Sequence, residues 1–143
     1  MIVKILFATC LVATTVIFHA AALTIILNPV LRIIARLEPR FWSVTWLLVR
    51  LTLWLTVIHM VEISVWAFFF WWQKCLPDAE SSFYFSGVTY TTTGYGDFVL
   101  PKAWRLFAPV EGLTGILMCG LSTAFLFATL SKLYWGRTHS SEN

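Results

Sequence analysis

The seven residues 91–97, Thr-Thr-Thr-Gly-Tyr-Gly-Asp, have a composition suited to binding a cation through backbone oxygens. A dehydrated cation needs oxygens in place of its water, and carbonyl groups supply them when successive residues turn them to one side. Such a backbone needs positive φ at some positions, which Gly94 and Gly96 adopt without the steric cost of a Cβ. The predicted ion-binding residues are Thr92, Thr93, Gly94, Tyr95 and Gly96.

This segment resembles the selectivity filter of potassium channels, which usually reads Thr-Val-Gly-Tyr-Gly-Asp. The resemblance covers residues 77–134 and implies passive, selective conduction of K⁺, with no cofactor. It also implies that K⁺ is held at Thr92, Thr93, Gly94 and Tyr95, with the Tyr95 ring packed behind the filter. Thr93 departs from the family pattern because it replaces the usual Val, and its hydroxyl needs a hydrogen-bond partner.

One chain supplies only one strand of such a filter, whereas the ion must be surrounded on all sides. We therefore expect a homotetramer around a central pore, with K⁺ and the lipid bilayer as further partners. The formal net charge of +3 is too small to indicate a nucleic-acid partner.

The composition is that of a membrane protein, since 59% of the 143 residues are hydrophobic and 12% are charged. Three apolar stretches exceed the roughly 20 residues that cross a bilayer: 2–27, 41–72 and 104–135. The interval 76–91 is too short and too polar to cross. The expected fold is an all-α membrane protein with three transmembrane helices, a re-entrant pore helix and a selectivity filter.

The chain divides into three parts. Residues 1–40 are predicted to form an N-terminal transmembrane helix and a basic cytoplasmic connector, 41–135 the pore domain, and 136–143 a short cytoplasmic tail. The predicted segments of the pore domain are an outer helix at 41–72, the pore helix at 78–91, the filter at 92–97 and an inner helix at 104–135.

Basic residues predict the orientation of the spans. Arg32, Arg36 and Arg40 lie between the first two apolar stretches, and Lys132 and Arg137 lie near the end of the third. Since cytoplasmic loops carry the excess of Lys and Arg, both regions are expected inside, with the filter mouth and the amino terminus outside. The chain looks like small prokaryotic channels with an extra first helix, which implies the inner membrane of the cell.

The first apolar stretch has two interpretations. Residues 1–22 imitate a cleaved signal peptide, but apolar residues continue beyond Ala22, which favours a retained helix. We expect that helix to end at Asn28-Pro29, because proline disrupts helical hydrogen bonding.

Several residues are predicted to support the filter. Asp78 is the expected N-cap of the pore helix. Tyr84 and Phe85 stand where related channels place an aromatic pair, and either bracing of the filter or ordinary packing explains them. The Tyr84 hydroxyl is expected to reach Asp97.

Ionisable residues inside the spans are the second signal in the sequence. His59 and Glu62 share a helix face, and Glu111 lies at a similar predicted depth in the third span. We expect Glu62 or His59 to bond to Glu111 or to the pore helix, with His19 as a further contact. Both a structural polar clamp and a pH-sensitive gate fit this pattern.

Glycines in the third span have two explanations. Gly115 and Gly120 are candidate gating hinges, and close helix approach is the alternative. Ser122 and Thr123 are expected to line the cavity below the filter.

No catalytic constellation is visible, so we expect no enzyme activity. His19, His59 and His139 are not expected to form a metal site. A weakly selective cation channel and a non-conducting accessory or scaffold subunit remain alternatives to a potassium channel.

Overall fold

Four α-helices make up the protein in the computed structural model, which describes residues 2–36 and 40–138, with side chains as far as Tyr134. They are α1 (Ile2–Arg36), α2 (Phe41–Trp72), α3 (Ala79–Tyr90) and α4 (Phe107–Thr138). The described ranges contain no strand, which confirms the all-α fold.

Three of these helices, α1, α2 and α4, are long and apolar enough to cross a membrane. The fourth, α3, has 12 residues and a length of about 18 Å, which is too short for a bilayer core of roughly 30 Å. The protein is therefore a multi-pass membrane protein whose shortest helix lies between two spans.

The first helix is longer than the sequence indicated. It continues through Pro29 to Arg36, so the expected helix end at Asn28-Pro29 was wrong. Proline removes one backbone donor, and an apolar helix packed against others tolerates that loss. Here Val30 is buried beside Leu47 and Leu51 of α2, so packing continues past the proline.

Helix α2, like α4, contacts each of the other three helices. Its aromatic residues pack against both neighbours: Phe69 stacks on Phe107 of α4 with ring centroids 5.3 Å apart, and Phe70 meets Phe85 of α3 edge to face at 5.4 Å. Apolar surface gains little by leaving lipid, so close packing and aromatic pairs, each worth about 0.5–1.5 kcal/mol, hold such helices together.

Helix α3 begins with the predicted cap. The Asp78 carboxylate accepts a hydrogen bond from the backbone N–H of Ser81 at 2.7 Å and another from its hydroxyl at 3.1 Å. The Ser81 N–H is the main reason why the pKa of Asp78 is lowered. The cap fixes where α3 starts.

The start of α4 differs from the prediction. It begins at Phe107 rather than Trp104, because the bonds Trp104 N–H to Pro101 and Phe107 N–H to Trp104 span three residues and form turns. Lys4 of α1 donates to the Ala103 carbonyl at 2.6 Å. These turns place Trp104 against the aromatic core.

The tail predicted at 136–143 also overlaps α4, whose backbone is helical as far as Thr138. The rest of that tail, residues 139–143, lies outside the described residues.

Candidate functional site

The backbone of the predicted filter alternates in conformation. Thr92, Gly94 and Gly96 have φ values of +60°, +58° and +79°. The positive φ expected at the two glycines is present. Thr92 was not anticipated, because a β-branched residue rarely adopts this conformation and nothing in a run of three threonines distinguishes it.

The amide groups of the filter turn toward the end of α3. Thr93 and Gly94 both donate to the Val88 carbonyl, at 2.9 and 3.3 Å, and Thr92 donates to Thr89 at 2.9 Å. Among the described residues, none donates a backbone hydrogen bond to the carbonyls of 92–96 outside the helices. Residues 91–97 are exposed in the single chain, so these oxygens are available to a cation.

The hydroxyl of Thr93 finds its partner within the filter. It lies 3.0 Å from the Thr91 hydroxyl, which itself donates to the Gly87 carbonyl at 2.7 Å. The need for a partner, which made Thr93 an unusual substitute for Val, is met locally.

The two aromatic residues of α3 have different surroundings. Phe85 is buried in the aromatic core. Tyr84 is 40% exposed, with its ring 6.0 Å from that of Phe98, and a hydrogen bond to the Asp97 carboxylate raises the pKa of Tyr84. Of the two residues, only Tyr84 therefore lies beside Asp97, and a bracing role for it stays a prediction.

A fully buried carboxylate lies behind the filter. Glu62 accepts a hydrogen bond from the Tyr90 hydroxyl at 2.5 Å, and its oxygens lie 2.8 Å from His19 Nδ1 and 3.0 Å from His59 Nδ1. The predicted contacts with the pore helix and with His19 are both present. Tyr90 is the last residue of α3, so Glu62 holds the point where α3 passes into the filter.

Ser122 joins the same group of side chains. Its hydroxyl lies 3.0 Å from His59 Nε2 and 3.4 Å from His19 Nε2. Ser122 is 6% exposed, so the expectation that it lines the cavity was wrong for this residue. The neighbouring Thr123 is exposed.

A second buried carboxyl group holds α3 one turn earlier. Glu111 of α4 is hydrogen-bonded to the Ser86 hydroxyl, which also lies 3.1 Å from the Ile63 carbonyl. No partner in the described part of the chain reaches Glu111 Oε2. Glu62 and Glu111 do not bond to each other there; each reaches α3 instead.

Residues 5–132 match the family model described as "Ion channel", the two-transmembrane ion channel family. The chain belongs to this ion channel family. The matched region includes all of α2 and α3, residues 92–97, and most of α1 and α4. Comparison with curated proteins and with solved structures gave no match.

The ion channel brings together three residues able to bind a metal ion: the ligand atoms of His19, His59 and Glu62 all lie within 4.8 Å of one another. The expectation of no metal site was based on the histidines alone and did not include Glu62, because the pairing of α1 with α2 was unknown. His139 lies outside the described residues.

The two candidate hinge glycines of the channel differ in their surroundings. A Cβ at Gly115 would overlap the backbone carbonyl of Tyr90, whereas one at Gly120 would meet nothing within 4 Å. Close approach of α4 to α3 therefore accounts for Gly115. A hinge at either residue stays a prediction.

Proposed function

We propose that the protein is a potassium-selective channel, which conducts K⁺ passively through residues 92–96 of four identical chains. The observation that carries the proposal is the alternation of positive φ at Thr92, Gly94 and Gly96, with the amides turned into α3. Successive carbonyls then replace the hydration shell of a cation.

The orientation of α3 supports the same function. Its carboxyl end, at Tyr90, leads directly into the filter. A helix carries a partial negative charge at this end, so four such ends would favour a cation beneath the filter.

The homotetramer is supported by surfaces that one chain leaves open. Tyr95 is 72% exposed, although its ring is expected to pack behind the filter. A groove beside the filter is lined by Thr92 and Gly94 on one side and by Gly112 and Ile116 of α4 on the other. A neighbouring copy would cover both surfaces.

We assign the channel to the cell membrane, the inner membrane of a bacterial cell, with its filter mouth outside and its carboxyl terminus in the cytoplasm. Arg32 and Arg36 at the end of α1, with Lys132 near the end of α4, support this orientation.

In this proposal Glu62, His59 and Glu111 support the filter, because Glu62 and His59 contact Tyr90 and Glu111 contacts Ser86 of the same short helix. Tyr84 and Asp97 support its outer end.

Ion flux from liposomes containing the purified protein tests the proposal. We expect K⁺ flux well above Na⁺ flux in the wild type, and loss of K⁺ flux in Gly94→Ala, whose added Cβ is strained at φ +58°. Thr24→Val on the exposed side of α1 is the control, since it changes neither residues 92–97 nor a candidate hinge glycine. Equal fluxes of the two ions would show a weakly selective channel, and no flux would show an accessory subunit.

Native mass spectrometry tests the assembly separately. A particle of four chains, each of 16.3 kDa, is expected, and a stable dimer or monomer would contradict the tetramer.

A further inference from the structure

Four side chains form a closed ring of hydrogen-bonding contacts in the membrane part of the protein. Glu62 Oε1 contacts His19 Nδ1, and His19 Nε2 contacts the Ser122 hydroxyl. The same hydroxyl contacts His59 Nε2, and His59 Nδ1 returns to Glu62 Oε2. We call these residues, Glu62, His19, Ser122 and His59, the buried ring.

The Ser122 hydroxyl is committed to this ring. Three other hydroxyl residues of α4, Thr114, Thr123 and Thr129, donate to the carbonyl four residues earlier in their own helix. Ser122 instead lies between the two histidine Nε2 atoms, at 3.0 and 3.4 Å. Its single hydrogen serves one of them.

Counting hydrogens shows that the ring is one short. Each of its four contacts needs one hydrogen between the two heavy atoms. Two neutral histidines supply one each, the Ser122 hydroxyl supplies a third, and an ionised Glu62 supplies none. The Tyr90 hydroxyl, which also lies 3.1 Å from His59 Nδ1, adds none to the ring, because its hydrogen is used in its bond to Glu62. With both Nδ1 atoms donating to Glu62, one Nε2 would face the oxygen of Ser122 with no hydrogen between them.

The net charge of the buried ring also favours one further hydrogen. Glu62 and His19 are fully buried, and 16% of the His59 side chain is exposed. A carboxylate with two neutral imidazoles would leave a net negative charge in the membrane interior, which is costly, whereas one further proton makes the ring neutral overall.

We propose that the buried ring binds one excess proton, shared by His19 and His59 as an imidazolium paired with the Glu62 carboxylate. Glu62 stays ionised because it accepts from three donors, the Tyr90 hydroxyl and both Nδ1 atoms. The ionisable groups facing this site are His19 of α1, His59 and Glu62 of α2, Tyr90 of α3, and Cys119 and Glu111 of α4.

The excess proton fastens α4 to the rest of the molecule. With it, the Ser122 hydroxyl accepts from one histidine and donates to the other, which joins α4 to both α1 and α2. Without it, Ser122 bonds to one histidine only. The proton thus determines how many helices the buried ring connects.

Nitrogen-15 NMR of the full chain, with labelled histidine, tests the proposal directly. His139→Gln removes the one histidine outside the described residues, which leaves four ring nitrogens from His19 and His59. At neutral pH we expect three of the four to carry hydrogen. Two of four, with no change on mild acidification, would overturn the proposal.

Two variants show whether the ring holds the proton. Glu62→Gln removes the paired charge and Ser122→Ala removes the acceptor, so each is expected to lower the count from three to two. Glu111→Gln is the control, because this buried carboxyl group lies outside the ring, and its count should remain three. A count of three in all variants would overturn the ring as the binding site.

Zinc gives a further test of the same site. Zn²⁺ prefers histidine and carboxylate ligands and would displace the proton between them. If the protein purified without added metal already holds one equivalent of Zn²⁺, the ring is a metal site and the proton assignment is wrong. None of these measurements depends on ion flux, so their failure is separate from failure of the proposed potassium conduction.

Discussion

At the scale of single residues, substitutions of Gly115 and Gly120 should have opposite effects on stability although both residues lie on α4. Gly115→Ala should destabilise the protein by about 1–3 kcal/mol, because its Cβ overlaps the Tyr90 carbonyl. Gly120→Ala should stabilise α4 by roughly 1 kcal/mol, since alanine favours helix and the space is open. Thermal unfolding of both variants measures the difference. Equal stability, with a defect in channel opening for Gly115→Ala alone, would indicate a hinge instead of close packing.

Tyr90 offers a second residue-level prediction. Tyr90→Phe removes the hydroxyl that donates to buried Glu62. The variant should be less stable by about 1.5–3 kcal/mol, the usual contribution of a hydrogen bond to a charged group. Tyr134, which is exposed on α4, provides the control, and Tyr134→Phe should leave the unfolding temperature unchanged. If Tyr90→Phe unfolds at the same temperature as the wild type, the Glu62 contact does not stabilise the end of α3.

The sequence predicts those features of single residues whose causes are local. The cap at Asp78 and the positive φ of Gly94 and Gly96 follow from residue type, so they were predictable. The positions of Thr92 and Ser122 were not, since a threonine among threonines and a serine in an apolar helix carry no signal of their own. Their conformation and contacts are set by neighbours distant in sequence.

At the scale of helices, α3 depends on its cap, and the dependence has a definite sign with pH. The pKa of Asp78 is lowered in the folded protein, mainly by the Ser81 N–H. The cap therefore stabilises α3 fully above the ordinary pKa of about 3.8 and loses its effect as the pH falls through the lower folded value. Asp78→Asn keeps a capping oxygen but no charge.

Unfolding measured between neutral and strongly acidic pH checks this prediction. The wild type should lose the advantage that it has over Asp78→Asn at neutral pH, whereas Asp78→Asn should keep a constant difference from Asp78→Ala. An advantage of the wild type over Asp78→Asn that persists in strong acid would contradict the role of the ionised cap.

Helix existence was predictable and helix ends were less so. Apolar length and the polar interval before the filter indicated three spans and one short helix, because the bilayer fixes these lengths. Pro29 was misread as an end, since packing of Val30 against α2 outweighs one lost hydrogen bond. Trp104 was wrongly predicted to be helical, because its apolar ring packs in the core although its backbone lies in a turn.

At the scale of the whole molecule, the excess proton of the buried ring should affect conduction. Loss of the proton leaves α4 with fewer contacts to α1 and α2, so we expect K⁺ flux in liposomes to rise with pH over the range where the NMR count falls. Ser122→Ala should show flux with little dependence on pH in that range. Thr24→Val, a change on the exposed side of α1, should retain the wild-type profile.

If flux changes identically with pH in the wild type and in Ser122→Ala, the buried ring does not control gating and is only a structural clamp.

The sequence indicated that Glu62, His59 and His19 matter, but not that they close a ring. Closure depends on the register of α1 against α2, where residues 43 positions apart meet, and of α4 against both. Hydropathy determines that such helices pack, whereas their register follows from side-chain fit across the interfaces.

The bond between Lys4 and the Ala103 carbonyl has a topological consequence. It fastens the beginning of α1 to the turns that follow the filter, so the two are on one face of the membrane whichever way the protein is inserted. A fluorescent label beside Lys4 and the pore entrance should therefore be reached from the same compartment. An impermeant quencher should act on the label when it is added on the side from which a blocker closes the pore entrance.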